Sequence, residues 1–291
     1  MTVMDNYVPS AFAEHAQATL PGCLYHYTTQ TGVLGIVEKA ELWATKIQYM
    51  NGATEFGLAL SMAREELNRL FEISTSSSKK VACSSFQRSL SGLEDINIFA
   101  VCLCEDGDLL SQWRGYAGDN QGYAIGFDTH ALTQAALPMG FTLGKCTYDR
   151  DLQQRNVNEA VAYCLEEEEA IPSRTNWAYH GPLADILFRC GAFFKDRSFS
   201  EEMEWRLLSP TVTFHESRIA FRAGRSMVTP YYALPIKHEG TLPIREIFID
   251  PCPHIELAKS AVTALLMQHG LTGPLRGQQI AFGSKIPFRN W

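Results

Sequence analysis

Two carboxylates stand two residues apart in this sequence, Glu202 and Glu204, and Arg206 follows them. Side chains alternate between the two faces of a β-strand, so a strand that begins here would place all three on one face. Neighbouring carboxylates repel each other, which raises the pKa of one of them, and Arg206 would counter this for the nearer one. Such a pair suits chemistry at a sugar carbon, where one carboxylate stabilises positive charge and the other orients or deprotonates an attacking group. The alternative is a surface strand with a Glu–Arg cross pair.

A second polar face is expected from His26 and Thr28. The segment Leu24–Thr28 is predicted to be a short strand that ends where a helix begins, with Thr28 or Thr29 as the helix N-cap. A polar strand end beside free backbone N–H groups can hold a ribose or an amide. The alternative is a partly exposed strand whose histidine bonds to a loop.

Two further segments offer groups for a ligand. Trp113 and Tyr116 are three residues apart and would share one face of a short helix, either as the wall of a pocket for a flat ring or as core aromatics. For Trp113 the core position is favoured. The basic tail that ends in Arg289 could return to a phosphate-bearing ligand or simply close the sheet.

The sequence lacks the motifs of several common catalytic, metal-binding and nucleotide-binding sites. The eight cysteines lack the C-x-x-C spacing of a zinc or redox site, and the eight histidines are scattered. Neither a G-x-S-x-G elbow, nor a P-loop, nor a G-x-G-x-x-G fingerprint occurs. A metal-dependent hydrolase or nuclease would need about three acidic oxygens around one point, for which Glu202, Glu204 and Asp250 are the candidates.

Composition indicates an ordinary globular chain. Of its 291 residues, 46% are hydrophobic and 20% are charged, which argues against disorder. A net charge of -7 speaks against a broad nucleic-acid footprint. Without a signal segment, or an apolar run of the ~18 residues a membrane span needs, we expect a cytoplasmic protein with reduced cysteines and no membrane partner.

The expected elements lack a regular βαβ rhythm, which predicts an α+β fold with a mixed sheet. Residues 1–22 are predicted to be a polar lead-in, and 23–291 a single domain. A Ser- and Lys-rich stretch, 73–95, is predicted to be a mobile insertion. Strands are predicted near 24–28, 42–45, 96–104, 122–127, 141–148, 204–208, 218–223, 245–249 and 279–283. Helices are predicted near 53–71, 109–116, 151–170, 182–195 and 254–269.

Motifs spread over residues 24–289 resemble a bacterial protein family known as domain of unknown function 2971. They are Leu24-Tyr25-His26-Tyr27-Thr28, Leu42-Trp43, Tyr49-Met50-Asn51 with Glu55, Trp113 with Tyr116, Gly122 before an Ile-Gly-Phe strand, Glu202-x-Glu204-Trp205-Arg206 and Ser284-x-Ile286-Pro287-Phe288-Arg289. The family name carries no function.

A more distant resemblance does carry one. The His-x-Thr strand that leads into a helix, an aromatic second segment and a late glutamate at a strand start are similar to the ADP-ribosyltransferase superfamily. That resemblance implies a mostly antiparallel split sheet flanked by helices and NAD as the substrate. It assigns His26 and Thr28 to the NAD-binding strand, Tyr49 or Tyr27 to nicotinamide stacking, Glu204 to catalysis and Glu202 to the first position of Glu-x-Glu. The other candidate NAD contacts are Asn51, Trp113, Tyr116, Arg206 and Arg289.

The sequence therefore predicts NAD-dependent ADP-ribosyl transfer to an unknown protein or nucleic acid, or NAD hydrolysis, in a toxin or defence effector. Two alternatives stay open. One is a non-enzymatic module that senses a nucleotide, and the other is a hydrolase or nuclease that uses carboxylates and a metal.

Overall fold

The structure is a computed structural model, and it describes most of the chain. The described residues are 9, 19–50, 53–90, 97–116, 121–170, 181–213, 215–224, 226–271 and 279–287, without the side chains of 53–56, 169–170, 181–182 and 185.

Ten β-strands and eight α-helices occur in the described residues. The strands are β1 (Cys23–Thr29), β2 (Glu41–Lys46), β3 (Phe99–Cys104), β4 (Gly122–Asp128), β5 (Thr142–Lys145), β6 (Glu204–Leu208), β7 (Ile219–Ala223), β8 (Val228–Pro235), β9 (Ile244–Ile249) and β10 (Ala281–Gly283). The helices are α1 (Gln30–Lys39), α2 (Ala53–Ile73), α3 (Ser77–Ser89), α4 (Leu110–Tyr116), α5 (Thr129–Ala136), α6 (Arg150–Ala170), α7 (Gly181–Gly191) and α8 (Ile255–Gln268). Short 3-10 turns cover Ile47–Tyr49, Leu137–Met139 and Arg197–Glu202.

The strands form one sheet in the order β10-β9-β4-β1-β3-β2-β8-β7, with β6 paired to β3 and β5 paired to β6. β10 runs parallel to β9, and the other pairings with a described register are antiparallel. Helix α1 packs against β1, β2 and β4, while α8 packs against β9 and β10. These observations confirm the predicted α+β class with a mixed, mostly antiparallel sheet flanked by helices.

The chain divides into two compact units, and the single domain over 23–291 stays a prediction. The first unit comprises residues 1–18, 47–98 and 145–200, and the second comprises 19–46, 99–144 and 201–291. In the first unit α2, α3, α6 and α7 pack on one another. Helix α2 can pack on the other helices because Leu60, Ala63 and Leu67 form a buried apolar stripe at helical spacing.

The predicted mobile insertion at 73–95 is wrong for most of its length, because 77–89 form α3. The Ser76 side chain caps this helix by accepting a hydrogen bond from the Lys79 N–H. Ala82, Cys83 and Phe86 are buried, so the helix belongs to the core of its unit. Residues 91–95 and most of the predicted lead-in 1–22 lie outside the described residues.

Two findings concern membrane-spanning helices and the state of the cysteines. Across the described ranges, no helix combines the length and the apolar character needed to cross a membrane. All eight cysteines lie in these ranges, and none of them forms a disulfide bond there.

Candidate functional site

The centre of the sheet divides at β3. Strand β6 pairs with β3 from Ala100 to Cys104 and so occupies one whole edge of it. On the other edge, β2 pairs with β3 only at Phe99 and Ala100, and β1 pairs only at Cys104. Between these pairings neither β1 nor β2 forms a ladder with residues 101–103. We call this gap the fork, since β1-β4-β9-β10 and β2-β8-β7 diverge from it.

His26 fills the apex of the fork. Its Nδ1 lies 3.0 Å from the backbone oxygen of Cys102, a residue in the middle of the unladdered stretch of β3. A carbonyl oxygen only accepts, so Nδ1 carries the proton and donates it. The imidazole thus replaces a strand-to-strand hydrogen bond at the point where the two branches separate.

The ring of His26 is held neutral. Burial lowers its pKa, and the positive charge of Arg222 lowers it further, while the hydrogen bond to Cys102 opposes both effects. With Nδ1 as the donor, the neutral tautomer leaves Nε2 as a hydrogen-bond acceptor. No residue among those described forms a hydrogen bond with Nε2.

Strand β1 also carries Thr28, which faces α1. A Cβ atom at Gly32 would collide with the Thr28 hydroxyl, so only glycine fits this first turn of α1. Thr29, at the end of β1, caps the helix by accepting a hydrogen bond from the Gly32 N–H. The predicted strand-to-helix junction is therefore present, but its capping hydroxyl is already engaged.

Glu204 and Arg206 form a buried ion pair at the start of β6. Arg206 Nε lies 2.8 Å from Glu204 Oε1, and Nη2 lies 3.2 Å from Oε2, with side-chain exposures of 3% and 2%. Tyr25, Cys104 and Glu204 are consecutive partners across β1, β3 and β6, so Glu204 lies on the sheet face of Tyr25. Because neighbouring residues alternate, His26 belongs to the other face.

The predicted common face of Glu202, Glu204 and Arg206 is wrong for Glu202. Strand β6 begins only at Glu204, and Glu202 belongs to the preceding 3-10 turn. Between them Met203 has a φ of 42°, in the left-handed region, which turns the backbone and breaks the alternation. Glu202 is half-buried in this turn.

The aromatic candidates near β1 belong to a packed cluster. Trp113 is 2% exposed, and its ring meets the ring of Tyr27 edge-on at a centroid distance of 4.8 Å. Trp113 Nε1 donates to Asp108, and the Tyr27 hydroxyl donates to the Asp106 carbonyl while it accepts from the Leu109 N–H. Trp113 therefore occupies the core position that the sequence favours for it, and Tyr27 anchors the loop before α4.

The remaining candidate residues are Tyr116, Tyr49, Asn51 and Arg289. Tyr116 lies at the end of α4 and is 36% exposed. Tyr49 is exposed in the 3-10 turn of the first compact unit, whereas His26 belongs to the second. Asn51 and Arg289 lie outside the described residues.

The acidic residues proposed for a metal do not gather. Within the described ranges, no group of three or more His, Cys, Asp or Glu side chains could hold a metal ion. Asp250 is buried at the end of β9, and its Oδ1 has no hydrogen-bond partner. Burial, together with the charge of Asp108, raises the pKa of Asp250 to about 6.

Sequence reasoning missed Arg222, which lies on the β2-β8-β7 branch. From β7 it reaches across β8 to β2, where Nη2 donates to Thr45 Oγ1 at 2.8 Å. Its Cζ lies 5.8 Å from the centroid of the Trp43 ring, which stacks on Tyr231 at 4.5 Å. A single arginine in a short strand gives no signal in the sequence, because only the fold brings it near His26.

Comparison with protein-family models gives a match over part of the chain. Residues 112–207 match the family DUF2971, described as a protein of unknown function. The predicted resemblance to this family is thereby confirmed over that stretch, which includes Trp113, Glu202, Glu204 and Arg206. Neither the comparison with curated proteins nor the one with solved structures found a match.

Proposed function

We propose that the chain binds NAD at the fork and cleaves the bond between nicotinamide and ribose, either as an ADP-ribosyltransferase or as an NAD glycohydrolase. The observation that carries this proposal is the neutral His26 at the apex of a divided sheet. Its Nδ1 is fixed on Cys102, and Nε2 is left to accept a hydrogen bond from a ribose hydroxyl. This arrangement agrees with the role that the superfamily resemblance assigns to His26.

The reaction needs orientation and charge stabilisation more than covalent help. The bond from ribose C1′ to the nicotinamide nitrogen breaks, nicotinamide leaves with the electron pair, and positive charge develops on the ribose. An oxygen or nitrogen of the acceptor, or water, then bonds to C1′ and releases its proton. A carboxylate near C1′ stabilises the developing charge more strongly than it stabilises bound NAD.

We take this carboxylate from Glu202 and Glu204. Strand β6, which carries Glu204, is separated from β1 by β3 alone. Adjacent strands are about 4.8 Å apart, so the Cα atoms of Tyr25 and Glu204 lie roughly 10 Å from each other. This distance is within the length of one dinucleotide, although the side chains of His26 and Glu204 lie on opposite faces of the sheet.

One observation favours a second candidate function, a module that binds a nucleotide without cleaving it. Glu204 is buried, and the Nε and Nη2 atoms of the Arg206 guanidinium group bind its carboxylate. Its side chain lies on the sheet face opposite to His26. A carboxylate in this state reaches a sugar only if the ion pair opens. If it does not open, Glu202 supplies the carboxylate or the chain is a sensor.

A nicotinamide-release assay separates these functions. Wild type is compared with Glu202→Gln and Glu204→Gln, and with Glu256→Gln, an exposed carboxylate of α8, as the matched control. We expect release by wild type and the control, with a loss of about 100-fold or more in the variant that lacks the catalytic carboxylate. Survival of activity in Glu204→Gln but not in Glu202→Gln assigns the role to Glu202.

The same preparations are tested for NAD binding by thermal shift, and cell lysate is added to the release assay as a source of acceptors. An NAD-induced shift without release would identify the chain as a nucleotide-binding module. Absence of both release and shift would refute the proposal.

A further inference from the structure

The side chain of Arg222 is partly withdrawn from water, and no carboxylate of the described residues compensates its charge. It is half-buried on β7, and none of the carboxylates in the described residues forms an ion pair with it. The Thr45 hydroxyl and the Trp43 ring contact the guanidinium group. Burial lowers the pKa of Arg222, and the only neighbour that raises it is Tyr231.

These contacts fix the guanidinium group but leave most of its hydrogen-bonding capacity unused. A guanidinium group has five N–H donors, of which one Nη2–H donates to Thr45. Neither a hydroxyl nor an indole ring provides the full negative charge that a desolvated cation needs. Arg222 is thus a positioned donor of planar geometry, which is the geometry that recognises phosphate oxygens.

A second cation contacts the same ring. Lys39 is the last residue of α1, and its Nζ lies 5.5 Å from the centroid of the Trp43 ring. Two positive groups therefore approach one indole in a chain whose net charge is -7. Glu38 and Glu41 flank Lys39 in the sequence, and neither of them forms an ion pair with Lys39 or Arg222.

We propose that Arg222 and Lys39, positioned by Trp43 and Thr45, form an anion site that binds the diphosphate of the dinucleotide held in the fork. The assignment rests on the proposed function and deepens it. Arg222 donates to Thr45, which pairs with Ala100, and Ala100 is two residues from the Cys102 whose carbonyl binds His26. The charge of Arg222 also lowers the pKa of His26. A diphosphate is attached directly to the riboses of a dinucleotide, so a ribose on His26 brings the diphosphate within reach of Arg222.

Calorimetric titration with three ligands tests the site. The ligands are NAD, inorganic pyrophosphate and nicotinamide riboside, which keeps the ring and the sugar but has no phosphate. The variants are Arg222→Gln and Lys39→Gln, with Arg245→Gln as the control, since Arg245 is 53% exposed and lies on β9. Lys39 is exposed, so its substitution tests the site even if Arg222→Gln unfolds the protein.

We expect Arg222→Gln to weaken NAD and pyrophosphate binding by about 10- to 100-fold, as for the loss of charge-assisted hydrogen bonds. Lys39→Gln should weaken both by about two- to fivefold, with a smaller dependence on salt than wild type. Binding of nicotinamide riboside should not change in either variant, and Arg245→Gln should behave as wild type.

The outcomes separate the two proposals. Unchanged NAD and pyrophosphate binding in both variants would overturn the anion site and leave NAD binding intact. Pyrophosphate binding that depends on Arg222, in a protein that does not bind NAD, would keep the anion site and refute the proposed function. An equal loss for nicotinamide riboside would show that Arg222 acts on the fold and would also overturn the anion site.

Discussion

The Glu204–Arg206 pair gives the sharpest test of the physical reasoning. We consider Arg206→Met, which keeps most of the volume of the side chain but removes the guanidinium group. Both side chains are almost fully buried and their shortest contact is 2.8 Å. The substitution removes the Arg206 guanidinium group from a buried carboxylate, and breaking a buried pair in this way costs about 3–5 kcal/mol.

Urea unfolding measures this cost directly, and thermal unfolding gives an independent value. For domains of this size, each kcal/mol shifts Tm by about 2–4 °C, so Arg206→Met should lower Tm by roughly 6–20 °C. Lys259→Met is the matched control, because Lys259 and Glu256 also lie 2.8 Å apart but the glutamate is 80% exposed. That exposed pair should contribute less than about 1 kcal/mol.

A double variant, Glu204→Leu with Arg206→Met, distinguishes the contribution of the ion pair to stability from a chemical role of Glu204. Replacing both partners by apolar side chains of similar size should restore most of the stability lost by Arg206→Met. A loss below about 1 kcal/mol for Arg206→Met would refute the view that burial makes this pair structurally important. If the double variant is stable but releases no nicotinamide, Glu204 has a chemical role beyond its place in the fold.

Three further predictions concern the sheet and its ends. The lowered pKa of His26 means that the unfolded chain binds more protons than the folded chain below pH about 6.5, so the free energy of unfolding should decrease as the pH is lowered through this range. In His26→Asn, urea unfolding should show a smaller decrease over the same range. Asp250→Asn should raise the free energy of unfolding by about 1 kcal/mol at pH 7, because it removes a buried carboxylate whose raised pKa opposes folding, and should change little near pH 4. Gly32→Ala should destabilise by about 1–3 kcal/mol because its methyl group meets the Thr28 hydroxyl, and Thr28→Ala should relieve part of this loss in a thermal melt.

Elements with a clear hydrophobic period could be predicted from the sequence. Helix α6 and strand β6 were expected at 151–170 and 204–208, and they occupy Arg150–Ala170 and Glu204–Leu208. Helix α3 was missed because serines dominate its composition, although Ala82, Phe86 and Leu90 recur at a spacing of four residues. The spacing of the apolar residues, rather than the polar composition, therefore indicates the helix in this segment.

Strand β8 was also missed, for a different reason. Pro230 and Pro235 lie within it, and proline is unusual in a strand with neighbours on both sides because it cannot donate a ladder hydrogen bond. The structure nevertheless pairs β8 with both β2 and β7. A strand of this kind is specified by the buried tyrosines that it contributes, Tyr231 and Tyr232, and not by backbone propensity.

The candidate site shows the same limit. His26 could be found from its polar position at a strand end, because that information is local. Its relation to Arg222 depends on how β1 and β7 are placed by strands far apart in sequence, and no periodicity encodes this. The same holds for Trp113, whose burial depends on Tyr27 and Asp108.

The two nitrogens of His26 separate what the fold requires from what a ligand requires. Nδ1 serves the fold, because it donates the hydrogen bond that joins β1 to the Cys102 carbonyl of β3. Nε2 makes no hydrogen bond to the described residues, so a binding function would depend on this atom. An asparagine amide reproduces the position of Nδ1 but has no atom at Nε2, so His26→Asn should keep the fold and lose NAD affinity. A residue that served the sheet alone would tolerate this change in a binding titration, and that result would remove the strongest support for a ligand at the fork.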